Sequence, residues 1–230
     1  MSTDSMAGPA PAGALAEAAA MPWRRRASER TLAREGRIWS LWSAGVVLTF
    51  GLPAVLLIWI EPLAAPASAI FLGHGLAVLH VQARRGARGV KPIGEAADGP
   101  GRTALGLLGD LLGNENRQLL VRCGLALERG RLGAWLIGQE GAILVRPGGR
   151  RVHCFCVRVG EGEDLPPADR VAHLLLALRE DEEGFATVAN RNFSGAWWRL
   201  RWQLPARARP ALTRGCAAAK RGATRLMAKP

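Results

Sequence analysis

Hydrophobic and polar positions fall into two regimes along this chain. Between Ile38 and Ala83 there is no Lys or Arg, and Glu61 is the one acid. At 1.5 Å rise per residue that stretch would make a helix of about 69 Å, close to two crossings of a ~30 Å hydrocarbon core. A single span would be far too long. The pattern predicts a helical hairpin over residues 28–85, with spans at 38–60 and 63–83. The turn falls at Glu61-Pro62, because Pro bars its predecessor from the α region.

Shorter periods follow. "TALGLLGDLLG" carries Leu105, Leu108 and Leu112 at helical spacing. The runs "QLLVRCGLALE", "LGAWLIG", "GAILVR" and "RVHCFCVRV" come next, divided by Gly130 and by "PGG" at 147–149. Apolar runs between turn signals of this kind predict an antiparallel β-meander. "LPPADRVAHLLLALREDEEG" reads as a helix begun by Pro166 and Pro167, striped by Val171, Leu174, Leu175 and Leu178, and ended by Gly184. "FATVA" and "AWWRLRWQL" are expected to return to the sheet. The fold class is α+β: the hairpin, then a small domain over 103–204 with the meander and one or two packed helices. Around it, residues 1–27 read as a disordered tail, with Ser28 as N-cap of a helix leading into the first span. Residues 86–102, rich in Gly and Pro, read as a linker, and 205–230 as a basic tail. Met1, Met6 and Met21 are alternative starts. No internal repeat is visible.

Charge places these pieces. Arg24, Arg25, Arg26, Arg30, Arg34 and Arg37 precede the first span, and Arg84, Arg85, Arg88 and Lys91 follow the second, whereas the turn has none. The positive-inside rule then puts both termini in the cytoplasm, here of a bacterial inner membrane. Trp39, Trp42 and Trp59 stand at span ends as an aromatic belt does. A rival reading, a signal peptide cut after Ala67-Ser68-Ala69, suffers from a hydrophobic stretch too long and continuing past the cut. The formal net charge is +12, with Arg far above Lys, abundant Ala and Gly and no Tyr. A GC-rich genome gives that composition, so the basicity has two readings, functional and genomic. Four cysteines in a cytoplasmic setting point to free thiols.

Four sets of residues are candidates for chemistry. His74 lies about 13 Å into the second span, opposite Val47 to Thr49, where an ionisable group needs a partner. Pro53 leaves the Thr49 carbonyl without its helical donor, so His74 is expected to donate to the Thr49 hydroxyl or to that carbonyl. The ordinary reading is a neutral histidine pinning the hairpin or a dimer. In "VHCFCV", strand alternation sends Cys154 and Cys156 to one face and His153 to the other, which argues for a buried strand. Cys154 and Cys156 remain the metal candidates, with His173 or Cys123 as the available further ligands. Trp197, Trp198, Arg199, Arg201, Trp202, Arg207 and Arg209 interleave rings with guanidinium groups. They suit an anionic lipid surface, a nucleic acid, or the inner face of a last strand. Glu115, Arg117, Asn190 and Asn192, from "GNENRQ" and "ANRNFSG", would make a polar enzyme site if the fold brought them together. No Walker loop, dinucleotide fingerprint or nucleophile elbow occurs. The expectation is a membrane-tethered, non-enzymatic interaction or regulatory module without a cofactor. Its partners would be membrane lipids and a protein or a second copy. A membrane-bound enzyme and a membrane-anchored nucleic-acid binder are the alternatives.

Overall fold

The computed structural model describes residues 24–94, 99–157 and 165–227, and side-chain surroundings as far as residue 222. The expected tail lies outside these residues up to position 23. Among the described residues there are eight α-helices and one five-stranded sheet, an α+β architecture. Two long apolar helices come first, α1 (Glu29–Ile60) and α2 (Ala65–Arg88), joined by a short 3-10 turn at Pro62–Ala64. Ser28 caps α1: its hydroxyl accepts from Thr31 N at 3.2 Å, and Thr31 Oγ1 accepts from Ser28 N at 2.7 Å. Both helices are long and apolar enough to cross a membrane, and their apolar windows are almost wholly uncovered by protein. Between them small residues make the contact. Ala54 and Ser68 are fully buried, and a Cβ on Gly75 would stand 2.9 Å from Phe50 Cβ.

The sheet is a strict meander, β1 (Ala126–Arg129), β2 (Ala134–Ile137), β3 (Gly141–Val145), β4 (Arg151–Cys156) and β5 (Asn190–Ala196), antiparallel throughout in chain order. Gly148 and Gly149, with φ of 87° and 69°, turn β3 into β4 in a backbone region that residues with a Cβ avoid. Every residue of β2 and β3 is buried, since helices cover both faces. On one face Trp135, Leu144 and Phe155 pack against α3 (Gly99–Asp110), α5 (Pro167–Glu180) and α6 (Glu182–Val188). On the other, Leu136, Ile143, Cys154 and Phe193 pack against α2, α4 (Asn114–Cys123), α7 (Trp197–Gln203) and α8 (Arg209–Met227).

Five stretches differ from the sequence expectation. "QLLVRC" is the end of α4, and only "ALER" after Gly124 is strand. "FATVA" is helical, and the polar "NRNFSGA" forms β5 in its place. It pairs along β4 (Cys154 with Phe193, His153 with Ser194), with a register shift at Cys154/Phe155. "WWRLRWQ" is a helix because Trp197, Leu200 and Leu204 turn inward at spacings of three and four. The segment 86–102 holds the end of α2, a buried passage through Val90 and Ile93, and the start of α3. From the β2–β3 turn, Gln139 Nε2 donates to the Pro92 carbonyl of this segment at 2.8 Å. Residues 205–230 are not an extended tail as far as they are described. Ala211, Leu212, Cys216 and Ala219 bury one side of α8 against the sheet.

The hairpin is therefore built into the domain. Its two legs grip the β4–β5 margin from opposite faces. A Cβ on Gly36 of α1 would meet Arg151 Cδ at 3.0 Å and His153 Cε1 at 3.6 Å. One on Gly86 of α2 would meet Phe193 Cβ at 2.4 Å and Cys154 Sγ at 3.2 Å. Around the margin Trp39 meets Phe193 edge-on at 6.3 Å, and Glu35 pairs with Arg191.

Candidate functional site

The surface that carries most of the candidate residues surrounds the legs of the hairpin. Helix α7 starts directly from β5 and lies along α2. Trp197 and Leu200 face the core, whereas Trp198 and Trp202, one turn apart, are 55% and 69% exposed. They and Arg199 line an open groove of about 580 Å³ with Gly73, Leu76, Ala77 and His80 of α2. Arg199 ties the helix down. It donates to Ser43 Oγ at 3.2 Å and to the Leu79 carbonyl at 3.0 Å, and stands 5.5 Å over the Phe193 ring. Burial holds its pKa below the usual arginine value. Gln203 Nε2 and His80 Nδ1 are 3.0 Å apart. Beyond Ser43, α1 continues to Ile60 for about 26 Å at 1.5 Å per residue, near one hydrocarbon thickness. Arg201 and Arg207 are exposed, and Arg209 Nε donates to the Leu204 carbonyl at 3.2 Å.

His74 is placed differently from the expectation. It is exposed on α2, and its Nδ1 lies 2.8 Å from the Ile70 carbonyl one turn back in its own helix. Thr49 is also exposed and shares no hydrogen bond with it among the described residues. The imidazole finds its partner locally, which an i to i−4 spacing allows without help from α1. The close contact of the two helices is Gly75 on Phe50, with Pro53 further along α1.

The four residues of the proposed polar site are not brought together. Glu115 and Arg117 sit on α4, which packs beside β1, while Asn190 and Asn192 are on β5 at the opposite margin. Four strand spacings separate those margins, about 19 Å. Three of them have neighbours of their own: Arg117 pairs with Asp110 at 3.3 Å, the Glu115 carbonyl accepts from Arg214 at 3.5 Å, and Asn190 Oδ1 accepts from Arg24 at 2.8 Å. An enzyme site built from these segments loses its geometry.

Strand β4 is alternating, as the spacing implies. Cys154 and Cys156 face α2 near Gly86 and Gly89, and His153 faces α1. Burial pushes the thiols of Cys123, Cys154 and Cys216 up, that of Cys216 to about 11, so they stay protonated and unreactive. Among the described residues no group of three or more His, Cys, Asp or Glu side chains could hold a metal ion. His153 is fully buried with neither ring nitrogen hydrogen-bonded, and its cross-strand neighbour Ser194 is likewise buried and unpartnered. Burial first, then the charges of Arg191, Arg146 and Arg151, lower the His153 pKa to about 3.

Sequence reasoning missed the cleft on the other side of the α1 leg. A cavity of about 640 Å³ opens between the base of α1 and the α6–β5 junction, walled by Arg24, Arg25, Arg34 and Arg191 and by Leu32, Ile38 and Trp39. The signal was present in the arginines before Ile38, but they read as a topology marker. No protein-family model matches this chain, and no curated protein or solved structure is significantly similar to it.

Proposed function

We propose that this chain is a membrane-anchored, non-enzymatic interaction module. The hairpin inserts into the bilayer, here a bacterial inner membrane, with both termini cytoplasmic. The sheet domain is held against the lipid surface, and the basic side of α7 and α8 faces anionic headgroups. The single observation that carries this reading is the long uncovered apolar surface of α1 and α2, topped by Trp59 and Leu63 at 81% and 88% exposure. In water such a surface is far larger than a monomeric protein tolerates. Trp198 and Trp202 add to it at the level where the hairpin leaves the domain, the depth at which tryptophan favours a membrane boundary. Exposed Arg34, Arg37, Arg84, Arg85 and Arg88 at the base of the legs agree with that orientation. Exposed Leu107 on α3, Leu111 just past its end and Leu176 on α5 are the side chains offered to a protein partner.

The test uses the full chain in native membranes. Alkaline carbonate extraction is combined with maleimide labelling of Trp59→Cys, Leu63→Cys and Leu107→Cys, each in a Cys156→Ser background. The expected result is a protein that resists carbonate, with positions 59 and 63 labelled only from the far side and 107 only from the cytoplasmic side. Release by carbonate sinks the anchoring reading. Labelling of position 63 from the cytoplasmic side sinks the spanning hairpin.

A further inference from the structure

We infer that the arginine-walled cleft at the base of α1 is a binding site for the phosphate headgroup of a single anionic phospholipid. The inference rests on the membrane reading above and gives it a specific ligand. The cleft is amphipathic in the sense such a molecule requires. Its lower wall carries Arg24, Arg25, Arg34 and Arg191 against one acid, Glu35, and its upper wall is Ile38 and Trp39. Arg24 and Arg191 are already engaged and fix the shape: Arg24 donates to the last carbonyls of α6 and to Asn190, and Arg191 pairs with Glu35. Arg25 and Arg34 are exposed, with neither an ion pair nor a hydrogen bond among the described residues. They are the two guanidinium groups left for a phosphate, which arginine binds through paired N–H donors.

The upper end of the cleft names a lipid as the source of that phosphate. Ile38 is 53% exposed and begins the apolar surface that continues through Leu41 and Trp42 along α1. A headgroup held at Arg25 and Arg34 therefore has its acyl chains directed onto the hairpin. From Arg34 to Ser43, where α7 is tied down, is about 14 Å along the helix, so the cleft lies on the aqueous side of the tryptophans, toward the headgroup layer. A cavity of about 640 Å³ is of the size that small-ligand sites have.

Native mass spectrometry of the detergent-purified full chain titrated with phosphatidylglycerol is the test, with phosphatidylcholine and inorganic phosphate as parallel titrants. The variant Arg25→Gln/Arg34→Gln is compared with Arg102→Gln/Arg129→Gln, which removes the same charge from exposed positions on α3 and β1. One phosphatidylglycerol per chain is expected, with affinity lowered roughly thirtyfold in the first variant and within about twofold of wild type in the second. Equal losses in the two variants would mean a diffuse charge effect and overturn the site. Competition by millimolar inorganic phosphate would make it a free-anion site and overturn the lipid. Flotation of the same protein with vesicles separates the two readings. A chain that floats but retains no lipid refutes only the cleft, whereas one that does not float refutes the anchor.

Discussion

Replacing Gly86 with alanine tests whether the hairpin is packed into the sheet domain or merely joined to it. The added Cβ would stand 2.4 Å from Phe193 Cβ, 3.0 Å from its Cγ and 3.2 Å from Cys154 Sγ. Carbon atoms at rest stay about 3.5–4.0 Å apart, so the α2 leg or strand β5 must retreat by about 1 Å. Neither clashing partner is the free end of a flexible side chain. Overpacking of this kind costs about 1–3 kcal/mol, against a gain of about 1 kcal/mol for replacing glycine in a helix. The net expectation is a loss of up to about 2 kcal/mol, and of about 1–3 kcal/mol relative to a glycine-to-alanine change that meets no clash. For a domain of this size the second figure lowers the melting temperature by about 2–12 °C. Gly73→Ala is the control, since nothing lies within 4 Å of its added Cβ in the same helix. Both are melted in detergent, followed by tryptophan fluorescence and by protease sensitivity of the domain. A Gly86→Ala protein as stable as Gly73→Ala would refute the packed leg and leave the hairpin a loose anchor.

Two further outcomes follow from the same surface. His153 is neutral in the fold down to about pH 3, whereas the unfolded chain takes up the proton near 6.5. The unfolded state thus binds the extra proton across that window, and stability falls as pH falls, by up to about 1.4 kcal/mol per unit. His153→Leu removes this slope and, since neither ring nitrogen has a partner, leaves stability at pH 7 unchanged or higher; denaturant titrations at pH 7, 5.5 and 4.5 check it. Arg199→Ala loses two hydrogen bonds made by a charged group, worth about 1.5–3 kcal/mol each at most, and frees α7 from the hairpin. Faster proteolysis at Trp197–Gln203 with intact sheet is the expected readout, and an unchanged cleavage pattern would count against the tie.

The hairpin and the meander were legible because each leaves a long-range mark: forty-odd residues without a basic group, and apolar runs cut by Gly and Pro. What could not be read is where composition has two physical meanings. Gly86 and Gly89 look like linker residues, yet here their missing side chains admit Phe193 and Asn192. The letters of α7 fit strand alternation at Trp198, Leu200, Trp202 and Leu204 and helix periodicity at Trp197, Leu200 and Leu204. Only the pairing of β5 with β4 decides between them. The arginines of α8 masked an Ala- and Gly-lined stripe whose small side chains give a weak hydrophobic signal but pack closely. Of the candidate residues, neither the outward face of α7 nor the arginine cleft was legible, and the cleft has a reason of its own. It joins Arg25 to Arg191 across more than half the chain, a distance no local pattern spans.

The grip of the two legs on the β4–β5 margin also sets an order of assembly. Helices α1 and α2 leave the ribosome well before β5, which they enclose. Contacts such as Gly36 with Arg151 and Gly86 with Phe193 close only after more than a hundred residues have been made. Strand β5 must then be received between legs already made. Until it arrives, β4 has an open edge of the kind that recruits other strands. A chain cut free of its hairpin keeps β5 paired with β4 but uncovers His153, Cys154 and Phe193, so cleavage at the base of the legs is expected to yield an aggregating fragment instead of a released domain.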